Sequence, residues 1–231
     1  MADLLPWSRS VRAFAAVLSI VAMLGLTACN GANNPRTQSA ESARSTSAAP
    51  ARGGQLAQLR GGGVIIVIRH AATNRSQQDA DERSGPDAGP VDFDDCSTQR
   101  NLTDEGRADA RTIGEAFRRL RIPVGTVWAS PYCRSKETAE LAFGRADVLD
   151  GLERLYPQRD EVAERRLNQL IRQRAPGVDD PNMVISGHGV YPSVLTPAVA
   201  LAEGQAALYT LRGDRIVLLG QVDPDEWADL D

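Results

Sequence analysis

Two imidazoles and two guanidiniums in this chain are set where they can meet around one oxyanion. Only two histidines occur in 231 residues, His70 and His188. Each follows a short apolar run. Val64-Ile65-Ile66-Val67-Ile68 leads into Arg69-His70, and Met183-Val184-Ile185 leads through Ser186-Gly187 into His188. Unbroken runs of β-formers are how strands buried on both faces read. In an open α/β sheet, ligands sit just beyond the carboxyl ends of such strands. Arg69 and His70 at that edge are therefore placed to meet an anion. Arg134 stands just after Pro131, where a third apolar run gives way to a helix, and helix N–H groups also favour anions. The plainer alternative is that one or both histidines are satisfied structural side chains.

The elements that must hold these residues alternate between strand and helix. Thr103 suits an N-cap, with Asp104 and Glu105 in the first turn, and Ile113, Ala116, Phe117 and Leu120 follow at helical spacing. That helix ends near Arg121, before Pro123. Thr126 to Ala129 is a short strand, and the helix after it turns Leu141 and Phe143 inward. Val148-Leu149 is a minor strand, Glu161 to Arg174 an amphipathic helix, and Pro192 to Leu201 a further helix. Ala206 to Leu211 and Arg215 to Leu219 form a hairpin about Gly213-Asp214. The pattern predicts an α/β fold, a three-layer α/β/α sandwich on a mostly parallel sheet. Between the first strand and Thr103 lies a long polar stretch, Asn74 to Arg100, with no helical or strand period. Loops of that length are usually functional or disordered. Starting just after His70, it is a candidate lid over the pocket; the alternative is a surface insert.

The totals narrow the class. A hydrophobic content of 42% is enough for a core, and a net charge of −4 argues against a general nucleic-acid binder. At the amino terminus, Arg9 and Arg12 precede an apolar run from Ala13 to Leu26, too short for a comfortable membrane span but suited to a signal peptide. The run closes as Leu26-Thr27-Ala28-Cys29, which resembles the lipobox of bacterial lipoproteins. By that resemblance residues 1–28 are removed and Cys29 carries a lipid, placing the protein on the bacterial cell envelope, facing the periplasm or exterior. A plain secretory signal with an incidental cysteine is the alternative. Residues 29–60 are rich in small and polar side chains and read as a flexible tether, leaving 61–231 as the folded domain.

Four short motifs now stand in order: Arg69-His70-Ala71; Leu102-Thr103 with Gly106; Ser130-Pro131 with Arg134 and Thr138-Ala139; and Ser186-Gly187-His188-Gly189. Together they resemble the histidine phosphatase superfamily, the phosphoglycerate-mutase-like group, over roughly residues 61 to 220. The resemblance implies that fold and a phosphoryl transfer through a phosphohistidine. His70 matches the nucleophile, and Arg69, Arg134 and His188 together with His70 match the phosphate pocket. His188 is also implied in catalysis. No metal or other cofactor is implied. The partners implied are a phosphorylated small molecule or phosphoprotein as substrate, and the membrane through the lipid.

The chain departs from the family pattern in two places. Many relatives read Arg-His-Gly-Glu-Thr, whereas Ala71-Ala72-Thr73 stands here; and Gly189 follows His188 where another branch has an aspartate as proton donor. By the resemblance, Glu153 in Leu152-Glu153-Arg154 is the leading general acid, one step out of register; its alternative is a surface charge. Cys96 and Cys133 are an even pair in an exported chain and are expected to be bonded, clamping the lid to the pocket wall; two free thiols are the alternative. A silent anion-binding lipoprotein and, ranked lower, a mutase remain beside the phosphatase reading.

Overall fold

The computed structural model describes residues 52–86, 88–155, 160–189, 195 and 199–230. The signal peptide, Cys29 and most of the helix expected over 192–201 lie outside the described residues. Six strands are formed: Val64–Arg69 (β1), Val124–Ala129 (β2), Asp147–Val148 (β3), Asn182–Gly187 (β4), Ala206–Arg212 (β5) and Arg215–Val222 (β6). The helices are Arg52–Gly61 (α1), Asp104–Arg119 (α2), Cys133–Phe143 (α3), Glu161–Arg174 (α4) and Glu226–Asp229 (α5).

The strands make one sheet in the order β3-β2-β4-β1-β5-β6. β1 to β4 are parallel, while β5 runs antiparallel to β1 and β6 antiparallel to β5. The sheet is thus mostly but not wholly parallel. β1 shows why its sequence has no polar alternation. Val64, Ile66 and Ile68 pack into a core with Leu56 and Leu59 of α1, Ile113 and Phe117 of α2, Ala139 of α3 and Trp227 of α5. Ile65 and Val67 point the other way, into a second core with Leu167 and Ile171 of α4. Both faces are covered, so every position must be apolar.

α1 corrects the expected boundary. Residues 52–60 fall within the expected tether, but Leu56 and Leu59 are buried in the first core. Asn182 Nδ2 donates to Leu59 O at 2.7 Å, and Arg60 Nε donates to Leu120 O at 2.9 Å. The folded domain therefore begins upstream of residue 61. Glycine is needed at the turn into β1, because Gly62 has φ +86° and a Cβ there would run into the carbonyl of Asp180.

The polar stretch after His70 is held down rather than loose. Short 3-10 turns form at Ala80–Glu82 and Cys96–Thr98. Gln99 Nε2 donates to Asp92 O at 2.8 Å, while its Oε1 accepts from Cys133 N at 2.8 Å. Lys136 Nζ donates to Phe93 O at 2.9 Å, and the Phe93 ring packs edge-on against Tyr132. Cys96 and Cys133 are bonded, with Cα atoms 5.7 Å apart, closing a span of 37 residues. Constraining a loop of that size stabilises by roughly 3–4 kcal/mol on the chain-entropy account. Urea unfolding of Cys96→Ser/Cys133→Ser is expected to show that loss, read from the midpoint at constant slope. A loss below about 1 kcal/mol would mean that the lid's hydrogen bonds hold the segment without the sulfurs.

Candidate active site

Sheet register brings the two histidines together. Arg69 is paired with Gly187 across the β1/β4 ladder, and His70 N donates to Gly187 O at 2.9 Å. The residues following those ladder partners are His70 and His188, and their ring centroids lie 5.8 Å apart. β2 flanks β4 on the other side, and Ser130 N donates to Ser186 O at 2.9 Å. That places Ser130 Oγ 2.9 Å from His188 Nε2 and the Tyr132 ring edge-on to His188 at 5.0 Å. Three adjacent parallel strands thus deliver three motifs to one edge.

The remaining motif residues hold the loop that carries His70. Ala71 N donates to Thr138 Oγ1 at 3.0 Å, and Thr138 Oγ1 donates to Arg134 O at 2.7 Å. Thr103 N donates to Ala72 O at 3.0 Å, and Thr103 Oγ1 caps α2 by accepting from Gly106 N at 3.0 Å. A Cβ at Gly106 would collide with Ala72 O, so the helix can approach the nucleophile loop only with glycine there.

A cavity of about 310 Å³ opens at this edge, lined by Arg69, His70, Asp79, Asp81, Glu82, Arg100, Tyr132, Arg134, His188, Gly189, Ala200 and Leu201. His70, His188 and Arg134 are 2%, 7% and 5% exposed and form its deep end. Arg134 lies over the Tyr132 ring at 4.1 Å and donates from Nη1 to Asp79 Oδ1 at 2.9 Å. Asp79 Oδ1 also accepts from Arg100 N at 2.8 Å, so one carboxylate ties lid and pocket arginine together. Arg69 Nη1 donates to Leu201 O at 2.8 Å, and its Nη2 lies 3.6 Å from Glu203 Oε1. Glu203 in turn accepts from Thr73 Oγ1 at 2.7 Å. Gly189 leaves room for Arg69, whose Nη1 would sit 3.0 Å from a Cβ at that position. The buried Nε–H groups of Arg69, Arg100 and Arg134 have no hydrogen-bond partner among the described residues. A buried donor left unpaired costs about 1–3 kcal/mol, and three guanidiniums lining one cavity make it a place for an acceptor-rich ligand.

His70 Nδ1 lies 3.0 Å from Ala71 O. A carbonyl only accepts, so Nδ1 carries the proton and Nε2 keeps its lone pair. Burial, then His188 and Arg134, hold the His70 pKa well below the usual histidine value. Burial, then Arg134, Arg69 and Arg100, push His188 down to about 3. Both rings are neutral at pH 7. In the unfolded chain they protonate near 6.5, so below that pH the unfolded state binds more protons and stability falls. The loss runs from about pH 6.5 down to the folded pKa, at up to about 1.4 kcal/mol per pH unit per histidine. Urea midpoints at pH 7.0 and 5.5 test this: the wild-type loss should shrink in His188→Gln, and an unchanged loss would contradict it.

The structure does not bring Glu153 to the histidines. It lines a separate cavity with Asp150, Asp160 and Arg166, and its Oε2 accepts from Gly151 N at 2.6 Å. In place of Glu153, the lid puts Asp79, Asp81 and Glu82 in the histidine cavity. Arg100 and Glu203 were also missed. The position of the lid after His70 was the one available signal for Arg100; nothing in the sequence marked Glu203.

With this geometry in hand, comparison with known proteins bears out the family resemblance. Residues 65–156 match the model of the histidine phosphatase superfamily, branch 1. The match takes in His70, the lid and Arg134, and stops before β4, so His188 joins the constellation through the sheet. No curated protein matches the chain. Solved structures similar to it include the protein histidine phosphatase SixA complexed with tungstate, at 16% identity over 71% of this chain and 98% of that one, TM-score 0.46. A phosphoserine phosphatase mutant from Entamoeba histolytica with phosphoserine is 14% identical over 70% and 97%, TM-score 0.45. YhfR from Bacillus stearothermophilus is 16% identical over 67% and 94%, TM-score 0.46.

Proposed function

We propose that this protein is a phosphatase that hydrolyses a phosphomonoester or phosphohistidine through a phosphohistidine on His70, without a metal. The observation that carries the reading is a buried imidazole with a fixed tautomer, facing a cavity ringed by three arginines with orphaned Nε–H groups. His70 Nε2 attacks phosphorus while the P–O (or P–N) bond breaks and its electron pair leaves with the alcohol or amine, which takes up a proton. The proton stays on His70 Nδ1, hydrogen-bonded to the Ala71 carbonyl, and the guanidiniums balance charge on the equatorial oxygens. Water then attacks the phosphohistidine, the P–N bond breaks, and inorganic phosphate departs. Arginine suits this site because its planar fork binds oxygens in pairs and stays charged.

With Glu153 elsewhere, the proton for the leaving group falls to solvent or to a lid carboxylic acid. Substrates with good leaving groups are therefore favoured. The same placement of Glu153 supports a second reading, a protein that binds phosphate and turns nothing over. A mutase ranks below both. Phosphate release from p-nitrophenyl phosphate separates them: the phosphatase releases phosphate steadily, and a binder shows phosphate affinity with no release. For location, the lipobox-like run at residues 26–29 supports a lipid anchor on Cys29 at the cell envelope. The Cys96–Cys133 bond is in keeping with an oxidising compartment. Labelling with a radioactive fatty acid, lost in Cys29→Ser, tests the anchor.

A further inference from the structure

The cavity carries charge of both signs: Asp79 is buried against Arg134, while Asp81 and Glu82 are exposed at its mouth. At its deep end are the histidines and Arg134, all less than a tenth exposed. Two of the three arginines already face a carboxylate: Asp79 meets Arg134 at 2.9 Å, and Glu203 lies 3.6 Å from Arg69. Arg100 faces none within ion-pair distance among the described residues. Asp81 and Glu82 line the same cavity from the solvent-exposed lid turn. Neither makes a side-chain hydrogen bond or ion pair among the described residues, and burial first, then the charges of Asp81 and Asp79 with a smaller part from Glu82, push the Tyr132 pKa up to about 12. The depths of the cavity thus favour an anion, and its mouth presents two unspent carboxylates.

Resting on the phosphatase reading of this cavity, we propose that Asp81 and Glu82 select substrates whose leaving group carries an ammonium, that is, phosphate esters of amino alcohols. The phosphate enters first, toward the buried Nε2 of His70 and the guanidiniums that line the cavity, and the alcohol portion trails toward the lid. A neutral alcohol would leave the two carboxylates without a cation of the substrate's own, repelling the incoming phosphate. An ammonium at that end meets them directly and removes the repulsion. The turn that carries the pair is tied down beside them, by Asp79 Oδ1, which accepts from Arg134 Nη1 and Arg100 N, and by Gly89 N, which donates to Ala80 O.

The test uses two aryl phosphates with similar leaving groups, 4-(aminomethyl)phenyl phosphate and its neutral isostere 4-ethylphenyl phosphate, on the full chain. The expected ratio of kcat/KM, cationic over neutral, is about tenfold at low salt, the size of two exposed charge contacts, and it shrinks toward one in 1 M salt. In Asp81→Asn/Glu82→Gln the ratio falls to about one, and in Glu82→Lys it drops below one. A wild-type ratio at or below one overturns the proposal before any variant is made. A double variant in which both rates fall while the ratio holds also overturns it, by assigning the carboxylates to proton transfer. Should neither ester release phosphate, the phosphatase reading fails. The inference is then read from calorimetric affinities of the same two compounds, where equal affinity overturns it and tighter binding of the cationic ester supports it.

Discussion

His70→Ala is expected to abolish turnover, lowering kcat/KM for p-nitrophenyl phosphate by at least about a thousandfold. Among the described residues, no second nucleophile lines the cavity in a position to substitute. The only other histidine, His188, has its Nε2 2.9 Å from Ser130 Oγ. The loss should appear in kcat, because the arginines that hold the phosphate remain. Phosphate binding by the variant should persist for the same reason, and the thermal midpoint should stay within a few degrees of wild type. Phosphate release by His70→Ala within tenfold of wild type would mean that the chemistry runs directly from water or on another side chain.

Arg134→Ala is expected to damage both activity and stability. Its guanidinium lines the cavity and pairs with Asp79, which is 3% exposed. Removing a donor aimed at transition-state charge typically costs a hundred- to a thousandfold in rate. Stranding a buried carboxylate typically costs about 3–5 kcal/mol. Since Asp79 Oδ1 also holds Arg100 N, the lid should loosen along with the pocket. Arg134→Lys separates the two effects. An ammonium answers the Asp79 charge, so most of the stability returns. It cannot reproduce the planar fork, so activity stays at least about tenfold down. Full activity in the lysine variant would show that position 134 acts only as a charge.

The legible part of this protein was the part governed by repeating local rules. Ile65 through Ile68 must be apolar on both faces, so the strand ending in His70 stood out, and the run at Met183-Val184-Ile185 did the same for His188. α4 has the bounds its period gave, Glu161–Arg174, and Thr103 caps α2 as its side chain and position suggested. What the sequence hid depends on where loops travel. Glu203 reaches Arg69 and Thr73 from 130 or more positions away, through the turn before β5. Arg100 gains its place only because Asp79 holds its backbone. Glu153 failed as a candidate because nearness to a motif in sequence does not set the direction of a side chain, and its carboxylate turns back onto Gly151 N. α1 was read as tether because Leu56 and Leu59 are its only large apolar residues, too few for a helical period to emerge. The disulfide followed from parity and compartment alone.

On the phosphohistidine reading, phosphorus becomes bonded to His70 during turnover. The direct measurement is to mix the chain with radiolabelled phosphate ester, quench in alkali within the first turnover, and map the label by peptide mass spectrometry. An acid-labile, alkali-stable phosphoryl group is expected on the peptide bearing His70, absent from His70→Ala and discharged on further incubation in water. Turnover with no label on that peptide, or with label on a serine or on His188, would contradict it.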